Sequence, residues 1–497
     1  MSKISHYQNL IQEKRKNTPF RDFVKELGSW EALNLYKRGF KVTRYPPTER
    51  IKKLDDIEFL NASSYWLIYN QDTSFLANFQ HLHDTVPFQY LFQILNNENA
   101  DFTDGAFGTK NSYLSFIIWA WAENIAYSSL CYNNIHNVYN SFLACNNCSN
   151  IYTSSGISDS HNIFFSRFIS NSANIWFSTN LIGCQDCIGC DNLENKKYNI
   201  GNKEYLLEEY SQKKNEIMRD KKWFKSYYTH ILTKKAINFA SENVTGDYII
   251  KSTNIENGGW IVNMHNWRNV LIGNGDSWSR NLYDWLDVGL NGHDFYGVMW
   301  AGWEWASQVY CSIQINASSF IYYSYIMDNS HHCIGCIWLK NKSYCILNKQ
   351  YTKEEWEILA EKIFASMEAD GTLGDFFPAS MNPFYFNDTL AYLIDDTFTK
   401  EEVESEGYLW RDEPIRADIP DGMKIVKNTE LDIFQWLSES GEWYIDPEVL
   451  KVVISDEKGN YYRIVEMEYD FLMKHALPLP TMHWLERMKM GFSTREL

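Results

Sequence analysis

Between Pro87 and Pro378 the chain contains no proline. Proline removes a backbone donor and fixes φ, so a long stretch without it admits uninterrupted ladders and helices. Long apolar runs are missing as well. The longest, Phe116 to Ala122, is too short to cross a bilayer. The start, Met1-Ser2-Lys3-Ile4, has no apolar signal segment, so the expectation is a cytoplasmic protein with no membrane partner. Positive charge is scarce: 46 Lys and Arg stand against 63 Asp and Glu, a net −17. Such a balance repels phosphate backbones and argues against nucleic acid as a partner. No G-x-S-x-G, P-loop or dinucleotide fingerprint is present, and nothing pairs a nucleophile with a positioned base. No catalytic residue is therefore predicted. All ten cysteines fall between Cys131 and Cys345, where a reducing compartment would leave them as core thiols or metal ligands.

What the middle of the chain does contain is a duplication. Cys187-Ile188-Gly189-Cys190 is followed by Leu193, Asn195, Lys196, Tyr198, Ile200, Asn202, Lys203, Tyr205, Glu208 and Glu209. The same residues recur 146 positions on, from Cys333-Ile334-Gly335-Cys336 through Leu339, Asn341, Lys342, Tyr344, Ile346, Asn348, Lys349, Tyr351, Glu354 and Glu355.

Each half carries a finer period. Asn150, Asn162 and Asn174 are twelve apart; each precedes an isoleucine (Ile151, Ile163, Ile175) and an aromatic (Tyr152, Phe164, Trp176). Ser154, Ser166 and Ser178 keep the same phase, as do Ser312 and Ser324 in the second half. Twelve residues hold one short strand and one turn, a unit that buries its apolar face only by stacking on copies of itself. The pattern predicts a mainly β protein with helices: two short, duplicated, right-handed β-solenoid (parallel β-helix) segments, each followed by a capping helix. A β-sandwich is the alternative. The expected divisions are a mixed α/β head at 1–100, a first solenoid at 101–202, a helical connector at 203–250, a second solenoid at 251–350, a capping helix at 351–371 and a mixed α/β tail at 372–497. For the capping helix, Thr352 and Glu355 form a capping box ahead of Trp356, Leu359, Ile363, Phe364 and Met367, and Asp370-Gly371 ends it.

Two constellations are candidates for chemistry. Cys333, Cys336 and Cys345, with His331 or His332, have the donor set of a Cys3His structural zinc site at the second copy. Cys184, Cys187 and Cys190 are the weaker equivalent in the first. Against zinc, the period places Cys187 and Cys333 where isoleucine stands one unit earlier, as fillers of the apolar rung. No other cofactor is expected. The second constellation is Trp278, Trp285, Trp300, Trp303 and Trp305, interspersed with Asp284, Asp287, His293 and Asp294. Exposed on one face, these would suit stacking of sugar rings with paired carboxylates; buried, they would be core and rim.

Cys333 to Cys336, Asn341 to Cys345 and Tyr351 to Trp356 together resemble a family of cysteine-rich, zinc-ribbon-like repeat proteins of candidate-phyla-radiation bacteria, some labelled CaiB/BaiF-like. Asn382-Pro383-Phe384-Tyr385-Phe386-Asn387, Glu406-Gly407-Tyr408-Leu409-Trp410, Tyr462-Arg463-Ile464-Val465 and Leu477-Pro478-Leu479-Pro480 extend the likeness. The resemblance implies cysteine pairs in head and tail, where this chain instead has Ser455 and Lys458, then Met482, His483 and Trp484. The leading expectation is a non-catalytic scaffold that binds a protein partner or a second copy of itself. A carbohydrate-binding or carbohydrate-active β-helix and a zinc-dependent nucleic-acid adaptor are the alternatives.

Overall fold

Every third residue from Asn150 to Gly201 has positive φ, and so does every third residue from Gln308 to Leu347. In this computed structural model, which describes residues 3–55, 61–94, 96–219, 238–274, 280–286, 292–301, 305–415, 422–438 and 442–492, each such residue is a corner. Four corners close one twelve-residue coil, and successive coils pair in parallel: Ile151 opposite Ile163, Ile163 opposite Ile175, Ile175 opposite Cys187. The result is a parallel β-solenoid of about 18 turns over residues 93–346, divided between two sheets. The β-sandwich alternative is thereby set aside. From Asn150 to Gly201 Asn and Gly hold 11 of the 18 corners, because a left-handed backbone costs other L-residues roughly 1–2 kcal/mol; from Gln308 to Leu347 they hold 3 of 14, and packed side chains such as Tyr323 and Trp338 take the corners instead.

The residue after each corner points into the lumen. From Ile151 to Ser178 these residues alternate Ile and Ser, and all are buried. Each isoleucine adds roughly 1.5–3 kcal/mol by burial. Each serine closes the backbone. The Ser166 hydroxyl donates to Phe164 O at 2.8 Å and accepts the Ser178 N–H at 3.1 Å; Ser154, one coil earlier, accepts the Ser166 N–H at 3.1 Å. Outside, the corner asparagines form a ladder. Side-chain amides link Asn99, Asn111, Asn124, Asn137, Asn150, Asn162, Asn174 and finally Asp186, each Nδ2 donating to the next Oδ1 at 2.9–3.1 Å.

Both copies stop their ladders identically. The chain folds back as an antiparallel strand, Ile200 opposite Lys203 and Ile346 opposite Lys349. Asn202 then clamps the free edge, bonding the N–H and the C=O of Asp191 at 2.8 Å each; Asn348 does the same to Ile337 at 2.8 and 2.9 Å. A covered edge cannot template another strand. The helices Leu207–Met218 and Lys353–Ala369 follow. The capping box forms as the spacing predicts, and Trp356 donates its indole N–H to Cys345 O at 3.3 Å.

Among the described residues the first strand of the second sheet is Asn238–Phe239, ahead of the expected boundary at 251, and head and tail are in direct contact. Leu33 N–H donates to Asp388 O and Leu390 N–H to Glu31 O, so the two ends of the chain interlock. Together they cover the solenoids' outer aromatic rows. The N-terminal helix Lys3–Lys16 lies on the stacked rings of Tyr283, Tyr296, Tyr310 and Tyr322, and Gln8 donates to the Tyr322 hydroxyl at 2.7 Å. The tail helix Glu466–Lys474 brings Phe471 onto Tyr139, Tyr152 and Phe164. Buried ion pairs pin the head to the solenoids, Arg15 to Asp284 at 2.9 Å and Arg44 to Asp104 at 3.2 Å; in the tail Arg487 holds Glu468 at 2.8 Å, and Asn140 of the first solenoid donates to the same carboxylate at 3.2 Å.

The corner ladder makes a quantitative prediction. Asn162→Ala forfeits two amide bonds and forces a left-handed φ on alanine, and should cost about 2 kcal/mol in chemical denaturation. Asn162→Gly keeps the corner and should cost about half of that, about 1 kcal/mol. Equal losses would show that corner strain contributes nothing.

Candidate functional site

The cysteines of the second copy lie inside the wall. Cys333 is opposite Ile321 and Cys345 opposite Cys333 in the lumen rung, while Cys336 takes a serine place: its N–H bonds to Ser324 Oγ at 3.0 Å and its buried thiol donates to Ile334 O at 3.5 Å. His331 and His332 are on the outer surface, their Nδ1 atoms 3.0 Å apart, with His332 stacked on Phe320. A Cys3His set would need ligands from both sides of one strand. In the first copy Cys184, Cys187 and Cys190 fill three neighbouring lumen positions and hydrogen-bond one another through Cys187, which raises the Cys187 thiol and draws Cys184 down to about 6. Among the described residues no group of three His, Cys, Asp or Glu is arranged to hold a metal ion.

The tryptophan constellation is separated in the same way. Trp285 is a lumen residue with its ring 5.9 Å from Trp267, and Trp300 is buried 5.0 Å from Trp119 of the other solenoid. Trp305 alone of the described three is exposed, at 66%; Trp278 and Trp303 lie outside the described residues. Asp284, held by Arg15 and by Asn269 at 2.8 Å, is a structural anchor, and Asp294 is paired with His293 at 2.8 Å. Trp285 and Trp300 therefore do not share an exposed stacking face.

What the fold does build is a cleft of about 340 Å³ between the two solenoids. Its cause is legible in one row of outward residues. Trp119 is opposite Tyr132, Tyr132 opposite Cys145, and Cys145 opposite Ser158, so the side chains shrink step by step and the neighbouring solenoid spans the hollow. Tyr248, Trp260 and Ile272 form the facing wall. Beyond the hollow the solenoids meet again where Phe168 stacks on Tyr248 at 4.0 Å. The coils here are thirteen residues long. The additional residue doubles one corner at Ala120/Trp121, Asn133/Asn134 and Asn146/Asn147, and Asn133 and Asn146 line the cleft. Asn133 Nδ2 donates to Asn146 Oδ1 at 3.0 Å. Cys145, alone among the cysteines, is only partly buried. Burial in this wall pushes its thiol up to about 12, against a hydrogen bond from Tyr132. Sequence reasoning missed this cleft because the twelve-residue period drew attention to the lumen; the thirteen-residue spacing of Val138, Tyr139 and Ser141 before Ile151, Tyr152 and Ser154 was its only signal.

No family model, curated protein or solved structure matches the chain.

Two predictions follow from the placement of thiols and imidazoles. Access outweighs ionisation here: under native conditions a small alkylating reagent should modify Cys145, slowly because its thiol is held protonated, before the nine buried cysteines, Cys184 included, which should react only on unfolding, as read by peptide mass spectrometry. Burial lowers His483 to about 3, with Arg487 and Arg411 adding to the effect, and lowers His475 and His332 to about 4. The unfolded chain then binds more protons than the folded one below the ordinary value of 6.5, so these groups stabilise the fold above that pH and withdraw stability as pH falls towards 4. His483→Asn, whose Oδ1 can still accept the Leu485 N–H, should show a shallower loss of stability over pH 6.5 to 4 than the wild type. Identical slopes would remove His483 from the effect.

Proposed function

We propose that the protein is a non-catalytic scaffold whose tail docks a protein partner or a second copy of the chain. The observation that carries this reading is an exposed aromatic pair. Trp436 and Tyr444 lie directly opposite on two antiparallel strands, their rings 6.0 Å apart and within 11° of parallel, at 53% and 41% exposure. Ile433 and Ile425 add exposed apolar surface in the same part of the tail. The strands beneath are fixed: Leu479 N–H donates to Gln435 Oε1 at 2.8 Å, Asp446 N–H to Phe434 O at 2.7 Å and the Tyr469 hydroxyl to Ile445 O at 3.2 Å. Stiffly held aromatics lose little entropy on association and are common anchors of protein interfaces.

The solenoids supply the rigid frame, and their clamped edges favour a partner that docks from the side over end-to-end growth. On this reading the chain stands beside the cysteine-rich repeat family through its motifs, with thiols that serve as lumen filling. The test is native mass spectrometry and site-specific cross-linking from the Trp436 surface, on the full chain. Wild type should retain a partner or a second copy; Trp436→Ala with Tyr444→Ala should release it while stability changes by less than about 0.5 kcal/mol. A strict monomer with nothing cross-linked would overturn the proposal.

A further inference from the structure

We infer that the cleft between the solenoids is a binding site for an uncharged, flat aromatic molecule carrying one hydrogen-bond donor. This stands apart from the tail surface and does not rest on it. Three observations define the ligand. The cleft is about 340 Å³, within the range that encloses a small organic molecule. Among the described residues no charged side chain lines it, although the chain as a whole carries −17, so an ion of either sign would lose its hydration without a counter-charge. Its walls are aromatic and preset: Trp119 on one side donates its indole N–H to Gly105 O at 2.7 Å, which fixes the ring, and buried Trp260 lies on the other.

The polar end is set by the asparagine corner. The amide ladder in this row starts at Asn133, because Ala120 occupies the preceding corner and has nothing to donate. Asn133 Nδ2 is committed to Asn146, while among the described residues nothing donates to Asn133 Oδ1. A ligand N–H or O–H would extend the ladder by one rung at the cost of no existing bond. Cys145, with its thiol held neutral by burial, adds a polarisable surface that suits an aromatic edge.

Indole is the probe, since it is planar, neutral and has a single donor. Calorimetric titration of the full chain should give saturable binding. Benzofuran, the same shape without the donor, should bind about fivefold more weakly, and the anion indole acetate should not bind. Cys145→Phe, which continues the Trp119 and Tyr132 row and fills the hollow, should abolish indole binding while the thermal transition and circular dichroism stay those of the wild type. Should that variant misfold, Asn133→Ala offers an independent reading: it should weaken indole to the level of benzofuran and leave benzofuran unchanged. Absence of saturable indole binding by the wild type, or equal binding of indole and its acetate, would overturn the inference. The tail variants Trp436→Ala and Tyr444→Ala should leave indole binding unaltered, so failure here and failure of the docking surface are read separately.

Discussion

A backbone that turns left at every third residue must satisfy its amides without the relief of a long strand, and the rest of the architecture depends on that constraint. Sides only three residues long leave little room for error in register. Two side-chain types resolve the problem from opposite sides of the wall. Serine in the lumen accepts the N–H of the coil above and donates to a carbonyl of its own coil. Asparagine outside tolerates the left-handed corner and links coil to coil through its amide. Isoleucine supplies the burial between serines, and its stiff, branched side chain suits a narrow lumen.

The duplication preserved this chassis and let the surfaces diverge. The last coil of the second copy carries Ile337, Trp338 and Leu347, all buried; Leu347 O accepts the Leu67 N–H from the head segment. At the same places the first copy has Asp191, Asn192 and Gly201, with Asn192 and Gly201 open to solvent. The lumen diverged differently. Cys184 of the first copy corresponds to Ser330, and Asn199 to Cys345, yet each copy keeps three buried thiols near the end of its ladder, within one coil in the first and across two in the second. A thiol is small, nearly apolar and a weak donor, so it can replace either member of the Ile and Ser alternation where the solenoid closes.

Where the two solenoids adjoin, shape is governed by side-chain size along single rows. A row of Tyr283, Tyr296, Tyr310 and Tyr322 stacks into a continuous face for a helix, whereas a row descending from Trp119 to Ser158 leaves a hollow. Both rows obey the same ladder geometry. Only their residues differ.

Much of this was present in the linear chain. The 146-residue offset, the phase of Asn150, Ile151 and Ser154, and the Thr352–Glu355 capping box are local or periodic signals, and repeats force equivalent residues into equivalent environments. The period of three was present as well, in the alternation of Ile and Ser from Ile151 to Ser178, but it reads as strand and turn until the corners are seen. The placement of His331 and His332 outside the wall that holds Cys333 inside, the burial of Trp285 and Trp300, and the interlocking of head with tail were decided by tertiary structure. Each depends on which side of a three-residue wall a side chain takes, or on contacts between segments hundreds of residues apart. Spacing along a chain records the period of a fold, whereas inside and outside are assigned only when the coil closes.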